Sequence, residues 1–448
     1  MTNSRHHLYF IGIGGIGMSA LARYFSMNGA IVSGYDRVPT PLTAALEAEG
    51  INVHYTDEPG LLPKDIDMAI FTPAVPSDML EIAEIRRRGI TLKKRAEVLE
   101  EITKDHAVIA IAGTHGKTTI TSMVSHLLTQ GGVPITAFIG GIAANFGSNF
   151  VHFPNSRFFV VEADEYDKSF LRLKPNIALI SSVDSDHLDI YQTHEVLVDH
   201  YRQFAMNIKS DGKVVNRVDL EELQLNSSIT FGLTDSATHY ASDIYIEAGF
   251  YKYKWHFPDN EPLEVTLLVP GNHNIENALA ASAAALAVGI EPMEIVSALA
   301  TFKGVARRFD RKVNGPRHYY IDDYAHHPAE LAACISAARG LFPGKKITGL
   351  FQPHLYSRTR DFLDDFAQSL SLFDALILLD IYPARETPIP GITSKALLDK
   401  CEIANKVLLP KEDIAAFLQQ HKPEVLISLG AGNIDQLVEP LTKLIAAW

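Results

Sequence analysis

Apolar residues along the chain gather in short runs rich in Val, Ile and Ala, and most of these runs are followed by a segment of helical period. Continuous apolar runs mark strands buried on both faces, so the pattern predicts parallel sheets covered by helices. The opening region reads as strand 7–12, helix 19–28, strand 30–35, strand 68–72 and helix 78–88. The basic end of that last helix, Arg86-Arg87-Arg88, is expected to face solvent. Residues 97–104 close the region. A second region starts with strand 107–112 and helix 120–128 and continues through strands 158–162 and 177–182. Between 213 and 270 it passes into shorter runs, whose aromatic stretch 251–257 reads as paired strand rather than a stacking platform. An alanine-rich helix, 278–288, and the pair Arg307-Arg308 end it. The third region repeats the alternation, with strands at 319–321, 347–351, 375–379 and 425–429. The boundaries these shifts suggest are 1–104, 105–312 and 313–448.

Polar residues cluster just past the carboxyl ends of these strands, where open α/β sheets bind ligands. After strand 107–112 comes Gly113-Thr114-His115-Gly116-Lys117-Thr118-Thr119 and then a helix. Glycines let the backbone close around an anion, and a helix start aims free N–H groups at it. Lys117 is expected at the β/γ-phosphates and the Thr118 hydroxyl on Mg²⁺. A second glycine turn, Gly12-Ile13-Gly14-Gly15-Ile16-Gly17, follows the first strand, with Asp36 about 20 residues on. It suits a pyrophosphate, whether of a dinucleotide or of a UDP-sugar. Strand 158–162 runs into Glu162-Ala163-Asp164-Glu165-Tyr166-Asp167, and one or two such acids are enough for a hard cation that keeps its waters. His187, among Asp184, Asp186 and Asp189, reads as a metal or phosphate contact. His273 and Asn277 open the alanine-rich helix, either as caps or as contacts to a nucleotide base. In the third region four strands each carry polar groups past their ends, among them Asp322-Asp323-Tyr324-Ala325-His326-His327 and His354-Leu355-Tyr356-Ser357-Arg358.

Composition narrows the picture. The 448 residues include 53 acidic and 40 basic ones, a net charge of −13, which disfavours nucleic acid as a partner. Cys334 and Cys401 stand far apart, which implies neither a disulfide framework nor a zinc site and suits a reducing cytoplasm. No apolar run reaches the roughly 18 residues needed to span a bilayer, and the polar start resembles no signal peptide. A cytoplasmic protein without membrane insertion is expected.

The motifs in order, GIGGIGMS, GTHGKTT, EADEYDKSFL, DSDHLDIY, HNIENALAA, RRFD, DDYAHHP, FQPHLYSRT and GAGNID, resemble the Mur ligases, ATP-dependent amide-forming enzymes of cell-wall precursor synthesis. The resemblance implies three α/β domains: a Rossmann-like N-terminal domain, a central P-loop ATPase-type domain with a mainly parallel sheet, and a C-terminal Rossmann-like domain. They would hold the UDP-sugar, ATP and the incoming amino acid, respectively. Within the family the motifs lie nearest the members that join L-alanine to UDP-N-acetylmuramate through an acyl phosphate. ATP and Mg²⁺ are the implied cofactors, and a monomer or homodimer the implied state.

Residue by residue, the resemblance puts Gly12, Gly14, Gly15, Gly17, Met18, Ser19, Asp36 and Thr72 at the UDP-sugar. Gly113, Thr114, His115, Gly116, Lys117, Thr118, Thr119, His273, Asn277 and Arg308 fall at ATP, and Thr118, Glu162 and His187 at the metal. Tyr324, His326, His354 and Arg358 fall at the amino acid. Lys117, His187, His326 and Arg358 carry the catalytic assignment, with His326 a candidate base. Two positions depart from the family's pattern: Tyr166 replaces a serine, as it often does in the tripeptide-recycling relatives, and Leu355 replaces an arginine. FQPHLYSRT nevertheless resembles the alanine-adding members more. A nicotinamide dehydrogenase would explain Gly12–Gly17 but not GTHGKTT, and a P-loop switch would explain the converse.

Overall fold

The computed structural model describes residues 6–72, 75–76, 78–184, 188–225, 229–384 and 386–448, the side chains of Asp167, Leu188 and Asp189 aside. Its three sheets are mostly parallel. The first holds β1 (His7–Ile11), β2 (Ile31–Tyr35), β3 (Asn52–His54), β4 (Met68–Phe71) and β5 (Thr91–Lys94). They are all parallel, in the order β3-β2-β1-β4-β5. β1 is buried along its whole length, as its unbroken apolar run requires. The winding reverses between β1 and β4, which opens a crevice at their carboxyl ends. The glycine turn leaves β1 there.

The first helix spans Ile16–Met27 and so begins before residue 19. Gly12, at φ 80, turns the chain in a single residue, and Ile16 and Gly17 are already helical. The helix expected from residue 78 spans Leu80–Arg87 because its cap comes from elsewhere. Asp57 accepts the N–H groups of Leu80 and Glu81 at 2.9 and 3.0 Å. Arg86 and Arg87 are exposed at its basic end, but Arg88 is not a solvent-facing charge. It is half-buried, paired with Glu84 at 2.8 Å, and donates to the Pro63 carbonyl.

The second sheet comprises β6 (Ala107–Ala112), β7 (Ile135–Ala143), β8 (Ser148–His152), β9 (Phe158–Glu162), β10 (Ile177–Ile180), β11 (Lys213–Arg217), β12 (Ile229–Gly232), β13 (His239–Glu247), β14 (Phe250–His256) and β15 (Leu263–Leu267). Their order is β15-β14-β13-β12-β11-β10-β6-β9-β7-β8. β6 lies between β10 and β9, parallel to both, which brings the ends of all three strands together. Along β14 and just past it, Tyr251, Tyr253, Trp255 and Phe257 are buried while Lys252 and Lys254 point away, so the aromatics build core and not a platform.

The third sheet holds β16 (Asp310–Asn314), β17 (Tyr319–Asp323), β18 (Ile347–Phe351), β19 (Ala375–Leu378), β20 (Lys406–Leu408) and β21 (Val425–Leu429), in the order β16-β17-β21-β18-β19-β20. Only β16 runs antiparallel to its neighbour. Its two faces are packed by separate apolar clusters, one around Phe351, Phe366 and Ile427 and the other around Leu350, Leu426 and Leu441. The chain divides into two compact units. One comprises Met1–Ser242, Trp255–Leu263 and Asn277–Leu299, the other Asp243–Lys254, Glu264–Glu276 and Ala300–Trp448. Among the described residues no helix is long and apolar enough to cross a membrane.

Candidate active site

The loop after β6 is shaped by two glycines in the left-handed half of conformational space. Gly113 sits at φ 136, and a Cβ there would lie 2.1 Å from the Ser181 hydroxyl. Gly116 sits at φ 84, and its Cβ would lie 2.7 Å from Asn277 Oδ1. The end of β10 pins the loop from the side. Ser182 accepts the His115 N–H on its hydroxyl at 2.8 Å and the Thr114 N–H on its carbonyl at 3.2 Å. The Ser181 hydroxyl donates to the His115 carbonyl, and Thr114 Oγ1 donates to the Asp184 carbonyl at 2.8 Å. The helix Lys117–Gln130 starts directly from this loop. Free N–H groups at a helix start are suited to an anion.

Lys117 Nζ reaches both oxygens of Glu165, at 2.7 and 2.9 Å, and the Gly113 carbonyl at 2.5 Å. Burial alone would pull the ammonium's pKa down, but the charges of Glu165, Asp164 and Glu162 outweigh it and hold the pKa above its ordinary value. Glu162, at the end of β9, accepts the Gly140 N–H at 2.6 Å and the Thr118 hydroxyl at 3.3 Å. Burial raises its pKa despite those bonds and the nearby lysine. A desolvated carboxylate beside a threonine hydroxyl fits Mg²⁺, which takes few protein ligands and keeps waters and phosphate oxygens. Among the described residues no three His, Cys, Asp or Glu side chains cluster for a metal. His187 lies outside the described residues.

At the first sheet's crevice, Asp36 Oδ2 accepts the Gly14 N–H at 2.8 Å, so this acid shapes the glycine turn as well as lining it. A Cβ at Gly12 would lie 3.1 Å from Thr72 Cγ2. Met18 and Ser19 are buried in the helix that follows, where the Ser19 hydroxyl donates to the Ile16 carbonyl. Arg95 lies against the turn: a Cβ at Gly17 would be 2.5 Å from its Nη1. Its other nitrogen stands 3.5 Å from Asp164.

His273 and Asn277 lie one turn apart inside the helix Asn272–Val288. Burial pushes His273 down to about 4, so its ring is neutral at ordinary pH.

At and past the ends of β17 and β18 another group assembles. Asp322, fully buried, pairs with Arg307 at 3.0 Å. Asp323 accepts the N–H groups of Phe309 and Ala325, each at 2.7 Å, and burial raises it to about 6 against the pull of Arg308. The cations of Arg307 and Arg308 stand 5.2 and 5.1 Å from the centre of the Tyr324 ring. Arg308, expected at ATP, is thus found over Tyr324 and 3.9 Å from Glu330. Burial drives His326 down to about 4, helped by the charges of Arg358 and Arg308. Its Nδ1 faces two acceptors, the Tyr324 carbonyl at 3.0 Å and Glu330 Oε2 at 3.3 Å. The proton therefore sits on Nδ1, leaving a lone pair on Nε2. His354 lies 6.2 Å away, edge to face, and stacks on Tyr382. Tyr324, His326, His354 and Arg358 thus share one sheet edge. Glu165, Ser181, Ser182 and Arg95 were not assigned these contacts from sequence, because their partners lie far along the chain; Glu330, four residues past His326, was missed although its contact is local.

Three family patterns match in sequence: "Mur ligase family, catalytic domain" over residues 7–107, "Mur ligase middle domain" over 111–285, and "Mur ligase, glutamate ligase domain" over 307–431. The chain belongs to the Mur ligase family. A UDP-N-acetylmuramate–L-alanine ligase of Porphyromonas gingivalis is 46% identical over 447 residues, covering 97% of this chain and 98% of that one. The crystal structure of the UDP-N-acetylmuramate–alanine ligase of Thermotoga maritima superposes with a TM-score of 0.85 at 29% identity, covering 98% of both chains. A murein peptide ligase of Psychrobacter arcticus shares the fold, with a TM-score of 0.75 at 23% identity over 99% of both chains. In this Mur ligase the three matched stretches fall on the three sheets, in the three-domain architecture of the family.

Proposed function

We propose that this Mur ligase joins L-alanine to the lactyl carboxylate of UDP-N-acetylmuramate through an acyl phosphate, giving UDP-N-acetylmuramoyl-L-alanine, ADP and phosphate. The observation that carries this reading is the full-length similarity, 46% over 447 residues, to a relative named for that reaction. Residues 1–104 would take the UDP-sugar, 105–312 ATP with Mg²⁺, and 313–448 the amino acid. A cytoplasmic monomer or homodimer working on these soluble substrates is the corresponding setting.

A carboxylate is a poor acyl donor, so the γ-phosphoryl group of ATP, with Mg²⁺, supplies the activation. Phosphoryl transfer asks chiefly for positioning and charge neutralisation. The amides of Gly113–Thr119 would cradle the phosphates, and Lys117 would exchange its bonds to Glu165 and Gly113 for phosphate oxygens. Thr118 and Glu162 would hold the metal, together with His187. Asn277, beside Gly116, and His273, one turn away on the same helix, would contact the nucleotide. The turn at Gly12, Gly14, Gly15 and Gly17, with Met18, Ser19, Asp36 and Thr72, would receive the UDP-sugar.

At the third sheet Arg358 offers alanine's carboxylate a planar fork, supported by Tyr324 and His354. His326 is too weak a base, at about 4, to store an ammonium proton. Its Nε2 lone pair would instead accept a hydrogen bond from the neutral amine and aim it. The test is phosphate release with UDP-N-acetylmuramate, L-alanine, ATP and Mg²⁺ each omitted in turn. Release requiring all four supports the reading, and release without alanine or without the sugar overturns it.

A further inference from the structure

The turn that carries Arg358 is held from outside its own stretch of chain. Past β18 the chain runs through Pro353, His354 and Leu355 into the short helix Tyr356–Asp361. Leu355 sits at φ 70, ψ 137, a conformation that side chains rarely adopt and that persists only when its surroundings enforce it. Tyr382 supplies part of that enforcement. Its N–H donates to the Pro353 carbonyl at 2.8 Å, its carbonyl accepts the Leu355 N–H at 3.0 Å, and it forms a parallel bridge with His354.

Glu386 supplies the rest. Its carboxylate accepts the Ser357 N–H at 2.9 Å through one oxygen and the Ser357 hydroxyl through the other. The Glu386 N–H closes a turn onto the Pro383 carbonyl at 2.8 Å, which fixes where the side chain starts.

We propose that Glu386 is a positioning residue for Arg358: by gripping Ser357 through two hydrogen bonds it holds the Leu355–Ser357 turn in place, and with it the guanidinium at the His326–His354 cluster. This rests on the reading of Arg358 as the partner of the amino acid's carboxylate. Glu386 touches no substrate in this arrangement. It acts through the backbone, so its hydrogen-bonding capacity matters and its charge does not. Glutamine has that capacity: its amide oxygen accepts the Ser357 N–H and its amide N–H donates to the Ser357 oxygen.

The test is steady-state kinetics of the full-length enzyme with alanine and ATP varied separately, alongside melting temperatures. Glu386→Ala is expected to raise the alanine KM about tenfold while leaving the ATP KM unchanged and kcat within about threefold. Glu386→Gln should recover most of the loss. Ser357→Ala should raise the alanine KM about two- to threefold, and adding it to Glu386→Ala should cost nothing further. A glutamine variant as weak as the alanine variant would overturn the proposal, since charge would then be what matters. So would alanine and ATP KM values rising together with a fall in melting temperature. Should Glu386→Ala not fold, Ser357→Ala decides alone, and an unchanged alanine KM there overturns the proposal. Arg358→Lys run in parallel separates the two levels: if it leaves the alanine KM unchanged, the reading of Arg358 falls, whatever Glu386→Ala does.

Discussion

Lys117 and Glu165 form a buried ion pair, Nζ to Oε2 at 2.7 Å, at the mouth of the phosphate loop. Glu165 is only 3% exposed, so the lysine is preorganised but already satisfied. Anything that uses Lys117 must compete with this acid. Lys117→Ala is therefore expected to lower kcat by at least about 10²-fold, since a donor to developing charge in a dry site is worth a few kcal/mol. Glu165→Gln should tighten nucleotide binding by roughly tenfold as the competitor loses its charge. Calorimetric titration of both variants with ADP checks this. Weaker binding by Glu165→Gln would show that the acid holds the lysine for the phosphates rather than from them.

The Thr118–Glu162 pair yields a second expectation. Thr118→Ala and Glu162→Ala should raise the Mg²⁺ concentration needed for half-maximal turnover as well as slow it, because each removes an oxygen ligand or its partner. Turnover measured against Mg²⁺ concentration decides, and parental Mg²⁺ dependence in both variants would remove these residues from the metal.

A third expectation concerns stability. Glu81 is fully buried and accepts the Tyr9 hydroxyl at 2.5 Å, with His54 also beside it. Burial raises its pKa to about 7, the push of Asp57 adding to it and the bonds from Tyr9 and the Glu58 N–H opposing it. The folded state therefore holds a proton that the unfolded chain, with an ordinary carboxylate, releases near pH 4.5. The stabilisation from Glu81 is present in full below about 4.5 and is lost as pH rises through about 7. Glu81→Gln stays neutral and should flatten this dependence. Relative to the parent it should gain on the order of 2–3 kcal/mol between pH 5 and 7.5, measured by urea denaturation at both. Parallel curves for the two proteins would show that Glu81 does not titrate there.

Strand runs and glycine turns were legible because each is local. β9, β18 and β21 fall where the apolar runs put them, and the glycine turn after β6 is where it was expected, although Lys117 and Thr118 already open the helix that starts three residues ahead of position 120. What escaped is set by partners far along the chain. Glu165 lies 48 residues from Lys117, and β6 must lie next to β9 before they meet. Asp57 caps a helix that Asp78 was expected to start. Arg88 reads as a surface charge until the Pro63 carbonyl is folded against it. The neutral state of His326 depends on burial, which no motif records.

The fourth expectation addresses the departure at Leu355. With that position apolar, Arg358 should carry most of the load of alanine's carboxylate. Arg358→Lys keeps the charge and loses the fork, and is expected to raise the alanine KM by about tenfold, in line with the 1.5–3 kcal/mol of a charged hydrogen bond. The ATP KM should barely move. Varying alanine at saturating ATP and UDP-sugar reads this out, and an unchanged KM would leave the carboxylate without its named partner.

The most direct test of the central claim is the identity of the product. The enzyme is given UDP-N-acetylmuramate, ATP and Mg²⁺ with equimolar L-alanine and L-Ala-γ-D-Glu-diaminopimelate tripeptide, and the UDP-linked product is weighed by mass spectrometry. The account predicts UDP-N-acetylmuramoyl-L-alanine as the dominant product, whereas a product carrying the whole tripeptide, with none carrying alanine alone, would contradict it.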